Sequence, residues 1–76
     1  MSIRVKFFAS LREQVGQSEQ EIMSKGVGTV SEVWAQLGEG ELPADILCAI
    51  NMDYAEHDSS VKDGDEVAFF PPVTGG

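Results

Sequence analysis

The last six residues, Pro71-Pro72-Val73-Thr74-Gly75-Gly76, carry the most distinctive chemistry in the chain. Gly75 and Gly76 have nothing beyond Cα. A terminal pair of them can thread a channel too narrow for other residues and bring a free α-carboxylate to an enclosed site. Pro71 and Pro72 lock φ and lack a backbone N–H, so they stiffen the exit and favour an extended path. A carboxylate is a poor acyl donor at neutral pH. Adenylation would turn Gly76 into a mixed anhydride, and a sulfur nucleophile displacing AMP would leave a thiocarboxylate. The chain needs no catalytic side chain for this, because its terminus is the reagent. The plain alternative is a frayed end built of small residues.

The other reactive side chains offer less. Cys48 lies in the apolar run Leu47-Cys48-Ala49-Ile50, where a buried structural thiol is the default. His57 is the sole histidine and sits in a polar stretch, so a zinc site or catalytic triad has no partners. Asp53, Glu56, Asp58, Asp63, Asp65 and Glu66 cluster in sequence but lack the ligand series of a calcium loop. They read as a solvated acidic face, with docking of a basic partner as a second use. No metal site and no glycine-rich phosphate loop is expected.

The elements that must hold the tail follow from hydrophobic periodicity. Ile3, Val5 and Phe7 alternate with Arg4, Lys6 and Phe8, which predicts a strand. Ala9 to Val15 has room for a turn and a half of helix, ended by Gly16. Glu19 to Ser24 alternates again and could pair with the first strand as a wide hairpin. Thr29 and Glu32 have capping-box spacing, and Val30, Val33, Trp34 and Leu37 make one helical stripe before Gly38 and Gly40. Ile46 to Met52 reads as a buried strand, Asp53 to Ser60 as polar and turn-like, and Lys62-Asp63-Gly64-Asp65 as a turn. Glu66 to Phe70 is the last strand, closed by Pro71. The order strand, strand, helix, strand, short strand, strand gives an α+β chain with a mixed sheet and one main helix on one face. That is the plan of the β-grasp, or ubiquitin-like, fold.

Strand parity then suggests a binding face. If Val67 and Phe69 point inward, Ala68 and Phe70 point outward, as Phe8 does on the first strand. Adjacent parallel first and last strands would set Phe8, Ala68 and Phe70 side by side. An exposed apolar patch there marks an interface at the base of the tail.

Length and charge limit the possibilities. Seventy-six residues make one domain, residues 1–72, with 73–76 as a flexible Gly-Gly tail. A chain this short buries only about 60% of its unfolded surface, which argues against a deep catalytic pocket of its own. Five Lys and Arg stand against thirteen Asp and Glu, a net charge of −8. Nucleic acid and anionic membrane are thereby disfavoured, and a basic docking face is the natural counterpart. One cysteine permits no internal disulfide, and the opening residues form neither a signal peptide nor a membrane span. A cytoplasmic location is expected.

The stretch Asp63-Gly64-Asp65-Glu66-Val67-Ala68-Phe69-Phe70-Pro71-Pro72-Val73-Thr74-Gly75-Gly76 resembles the C-terminal signature of the MoaD family, the sulfur-carrier small subunits of molybdopterin synthase. Val5 to Glu13 and Ala49-Ile50-Asn51 resemble the same family. The resemblance implies a carrier whose Gly76 is adenylated by an enzyme related to ubiquitin E1 (MoeB or an equivalent), with ATP and Mg²⁺ used by that enzyme. A sulfur donor protein would supply the thiocarboxylate sulfur. Gly75 would be the thin approach and Pro71 to Thr74 the arm inserted into the large subunit, MoaE. Cyclic pyranopterin monophosphate would receive two sulfurs there, one per carrier turnover, commonly in a heterotetramer. Phe8, Ala68 and Phe70 would seat the large subunit, and Asp63, Asp65 and Glu66 would help the activating enzyme dock. No cofactor would be bound by the chain itself, which would be a non-catalytic subunit. A carrier for thiamine or thiolated tRNA, a conjugated ubiquitin-like modifier, and a plain interaction domain are the competing functions.

Overall fold

The computed structural model describes residues 1–72. In chain order these form β1 (Ser2–Phe7), α1 (Ser10–Val15), β2 (Glu19–Met23), α2 (Val30–Gln36), β3 (Leu47–Ile50), β4 (Asp53–Ala55) and β5 (Glu66–Phe70). The strands make one sheet in the order β2-β1-β5-β3-β4. The first and last strands pair in parallel at its centre, and the remaining pairs are antiparallel. This is the mixed-sheet α+β architecture of the β-grasp. No helix among the described residues is long and apolar enough to cross a membrane. The expected tail, 73–76, lies outside the described residues.

Each element forms for a local reason. Alternation along β1 buries Ile3, Val5 and Phe7 on one side of the sheet. Ala9, at φ 53, swings the chain from β1 into α1, which Gly16 closes at φ 91 with its N–H on the Arg12 carbonyl. The hydroxyl of Thr29 accepts from the Glu32 N–H at 3.3 Å, and the Glu32 carboxylate reaches back to the Gly28 N–H at 2.9 Å. These contacts satisfy donors that a helix start leaves open. They set α2 so that Val30, Val33 and Trp34 face the sheet. There they meet Ile3, Val5 and Phe7 of β1, Cys48 of β3, and Val67 and Phe69 of β5 in one buried cluster. Trp34 packs edge-on against Phe69, with ring centroids 4.9 Å apart. Fully burying a large aliphatic or aromatic side chain is worth about 1.5–3 kcal/mol, whereas an exposed ion pair gives about 0–1. The inner layer therefore carries the stability, and the outer face of the sheet is left for other work.

The sequence expectations need correction between residues 46 and 65. The expected strand over Ile46 to Met52 is shorter, because Asn51 and Met52 turn back with φ 50 and 74. The expected short strand falls at Asp53 to Ala55, inside the stretch read as polar and turn-like, and is β4, so Ile50 and Asp53 flank a two-residue hairpin loop. Positive φ at both loop residues matches the twist of the flanking strands. Asn51 tolerates this conformation well, and its side chain anchors the turn.

Asp65 is a second correction. It was expected in an exposed acidic docking turn, yet it is only 6% exposed. Its carboxylate accepts from the Asn51 amide at 3.0 Å and from the Lys62 N–H at 2.9 Å. Asn51 in turn accepts from the Glu66 N–H at 3.0 Å. Two distant turns and the start of β5 are thus tied through one carboxylate. Asp65→Ala should strand those donors and lower the unfolding free energy by about 1–3 kcal/mol. Denaturant titration checks this, and an unchanged midpoint at unchanged slope would deny the knot any structural weight.

Candidate functional site

The outer face of the sheet is built by strand parity. The β1–β5 register places Lys6 beside Ala68, and Arg4 beside Glu66. The β3–β5 register places Leu47 beside Phe70, and Ala49 beside Ala68. Tyr54 of β4 stands opposite Ala49. The inner helix covers none of this face, and its side chains are exposed or half-buried apart from Ala49, which is buried.

Two halves result. On β1 and β2 the face is polar: Arg4 pairs with Glu19 at 3.0 Å, and the Ser2 hydroxyl donates to Glu21 at 2.8 Å. From β5 onward it is apolar. Phe8, 48% exposed, meets Phe70 edge-on with centroids 6.4 Å apart. Tyr54, 79% exposed, meets the same ring from the other side at 5.6 Å. Ala68 and Ala49 floor the space between, and a shallow groove of about 320 Å³ runs across it. Lys6 and Glu66, paired at 3.4 Å, separate the halves.

Phe8, Ala68 and Phe70 therefore share one face, and Phe70 is followed directly by the half-buried Pro71 and Pro72. Val73, Thr74, Gly75 and Gly76 lie outside the described residues. The acidic turn is elsewhere. Four strand steps of about 3.3 Å separate Glu66 from Phe70, so the turn sits roughly 13 Å from where the chain leaves the sheet. Asp63 is exposed and accepts from the Ser24 hydroxyl, Glu66 is half-buried beside Lys6, and Asp65 is buried. Asp65 is thus unavailable to a partner.

Sequence reasoning missed Leu47, Met52 and Tyr54. Periodicity sets Leu47 and Met52 inside one buried strand and Tyr54 in a polar turn-like stretch, whereas all three are exposed. Asn51, a residue suited to a left-handed turn, was the available signal that a hairpin interrupts the run there.

Side-chain chemistry on this chain is muted. Cys48 is buried, its thiol donates to the Ala55 carbonyl at 3.3 Å, and burial, then the Glu56 carboxylate, pushes it above the ordinary thiol range. A thiol held protonated is a poor nucleophile. His57 Nε2 donates to the Ile46 carbonyl at 2.6 Å, pinning the loop before β3. Among the described residues no group of three His, Cys, Asp or Glu could hold a metal ion. What the site offers is an apolar seat beside a chain exit.

Comparison with known proteins agrees with this plan. The ThiS family model matches residues 5–76. The molybdopterin synthase sulfur carrier subunit of Escherichia coli (strain K12) is 40% identical over 84 aligned positions, covering 97% of this chain and 99% of that protein. The crystal structure of SAMP1 from Haloferax volcanii superposes with a TM-score of 0.80 at 31% identity, covering all of both chains. The complex of subunits 1 and 2 of molybdopterin-converting factor from Helicobacter pylori 26695 contains a chain with a TM-score of 0.66 at 26% identity, again covering all of both. With a central parallel strand pair, an apolar face beside the chain exit and relatives matched from end to end, the chain belongs to the ThiS family, alongside the molybdopterin synthase sulfur carrier subunits.

Proposed function

We propose that this chain is the sulfur-carrier subunit of a molybdopterin synthase, and that Gly76 is its working residue. The observation that carries the reading is the seat formed by Phe8, just past β1, with Ala68 and Phe70 on β5, the strand that leads toward the Gly-Gly tail. The likeness to sulfur carrier subunits along 97% of the chain supports it.

The chemistry divides between chain and partners. An E1-like activating enzyme of the MoeB type, using ATP and Mg²⁺, joins the Gly76 carboxylate to AMP and releases pyrophosphate. Sulfur from a donor protein displaces AMP and leaves a thiocarboxylate. The large subunit, of the MoaE type, then seats on the apolar face while the tail enters its active site and yields sulfur to the pterin precursor. Pro71 and Pro72 limit how many conformations the arm must lose on entry. The excess of thirteen acidic over five basic residues steers the chain toward basic docking surfaces. A cytoplasmic setting fits this work.

The likeness to SAMP1, a small archaeal modifier protein, favours one second reading: a modifier joined through its terminus to a lysine amine. Both readings share the adenylate and differ in the acceptor.

Intact mass after incubation with ATP, the activating enzyme and a sulfur source should rise by the replacement of one oxygen by sulfur. Deleting Gly76 should abolish that gain while leaving the fold intact. No gain from an enzyme proven active on another carrier would remove the sulfur reading, and covalent adducts on lysine would install the modifier reading. Phe70→Ala should weaken large-subunit binding by about 1–3 kcal/mol, the range of an interface anchor. Calorimetry measures this, and an unchanged dissociation constant would exclude Phe70 from the seat.

A further inference from the structure

Asn51 and Met52 both occupy left-handed backbone in the two-residue loop between β3 and β4. Glycine is the residue that adopts this conformation freely, above all at the second loop position. Asn51 has clear compensation. Its amide and carbonyl bond Asp65 and Glu66 at 3.0 Å each, and its N–H donates to the Glu66 carbonyl at 2.8 Å. Met52 has none of this. Its side chain is 90% exposed, so it adds nothing to the core. A local rule broken without a gain to the fold points to a gain elsewhere.

The location shows where. Met52 lines the rim of the groove that Phe8, Ala68 and Phe70 floor. It stands next to Asp53 and across from the Lys6–Glu66 pair. A long apolar side chain at this position adds contact area to the groove.

We infer that Met52 is a contact residue for the molybdopterin synthase large subunit, held in strained backbone so that its side chain extends the Phe8–Ala68–Phe70 seat toward β4. The inference rests on the function proposed above. The occupant is the large subunit because Met52 is continuous with the seat assigned to it. The surface it fits is an apolar slot with a basic side chain opposite the exposed Asp53.

Three variants separate backbone from side chain. Met52→Gly relieves the left-handed conformation and removes the thioether. Met52→Ala keeps the conformation and removes the thioether. Met52→Leu keeps an apolar side chain of similar size. Titration calorimetry of the full chain against the purified large subunit should show both Met52→Gly and Met52→Ala weakened by about three- to tenfold, the scale of a rim contact. Met52→Leu should stay within about twofold of the unaltered chain on the same scale. Thermal unfolding should rank them differently, with Met52→Gly the most stable of the three. Binding follows the side chain, and stability follows the backbone. Met52→Gly and Met52→Ala both binding as tightly as the unaltered chain would overturn the inference alone. Failure of the unaltered chain to bind the large subunit would overturn it together with the proposed partner.

Discussion

The parallel pairing of β1 with β5 is the contact on which the molecule depends. Its register sets Phe7 beside Phe69 on the inner face, with ring centroids 6.3 Å apart, and leaves Phe8 and Phe70 to meet on the outer one. Each strand runs into a doubled aromatic, so a single pairing supplies both a core contact and an outer-face contact. A shift of one residue would exchange the two sets and empty both. The helix α2 locks the choice, because Trp34 closes over Phe69 from the inner side.

A single helical layer over a five-stranded sheet leaves one sheet face bare. In a larger protein a second layer would cover it. Here the bare face is divided by the Lys6–Glu66 pair into a charged half and an aromatic half. The charged half, with Arg4, Glu19 and Glu21, keeps the exposed strand β2 wet and discourages further strand addition. The aromatic half lies on the strands nearest the chain exit. The exposed aromatic surface therefore lies in the area that a domain of this size cannot bury.

Much of this was legible in the residues. Period-two alternation marked β1 and β5, and the Thr29–Glu32 spacing marked the start of α2, because each signal is local. The parity argument that turned Phe8, Ala68 and Phe70 outward needed only the strand assignment and the parallel pairing. A short strand after β3 was legible, but the place of the β3–β4 turn was not, because its loop, Asn51-Met52, lacks the glycine that usually announces such a turn. Tyr54 was lost with it. Asp65 escaped for a different reason. An aspartate in an Asp-Gly-Asp turn reads as exposed, and its burial depends on Asn51, fourteen residues away in the chain. Contacts made by partners so distant in sequence leave no local pattern.

The place of β5 in the order of synthesis has a consequence of its own. It is the last strand to be made, yet it lies between β1 and β3 at the middle of the sheet. Until Glu66 to Phe70 has left the ribosome, β1 and β3 have nothing between them, and Trp34 has no Phe69 to cover. Non-local pairing of this kind delays folding until its last partner arrives. A product that stops before Glu66 thus lacks the central strand and with it the means to fold. The topology acts as a check on synthesis: a molecule that presents the outer aromatic face has been translated at least through Phe70, the residue after which the chain leaves the sheet.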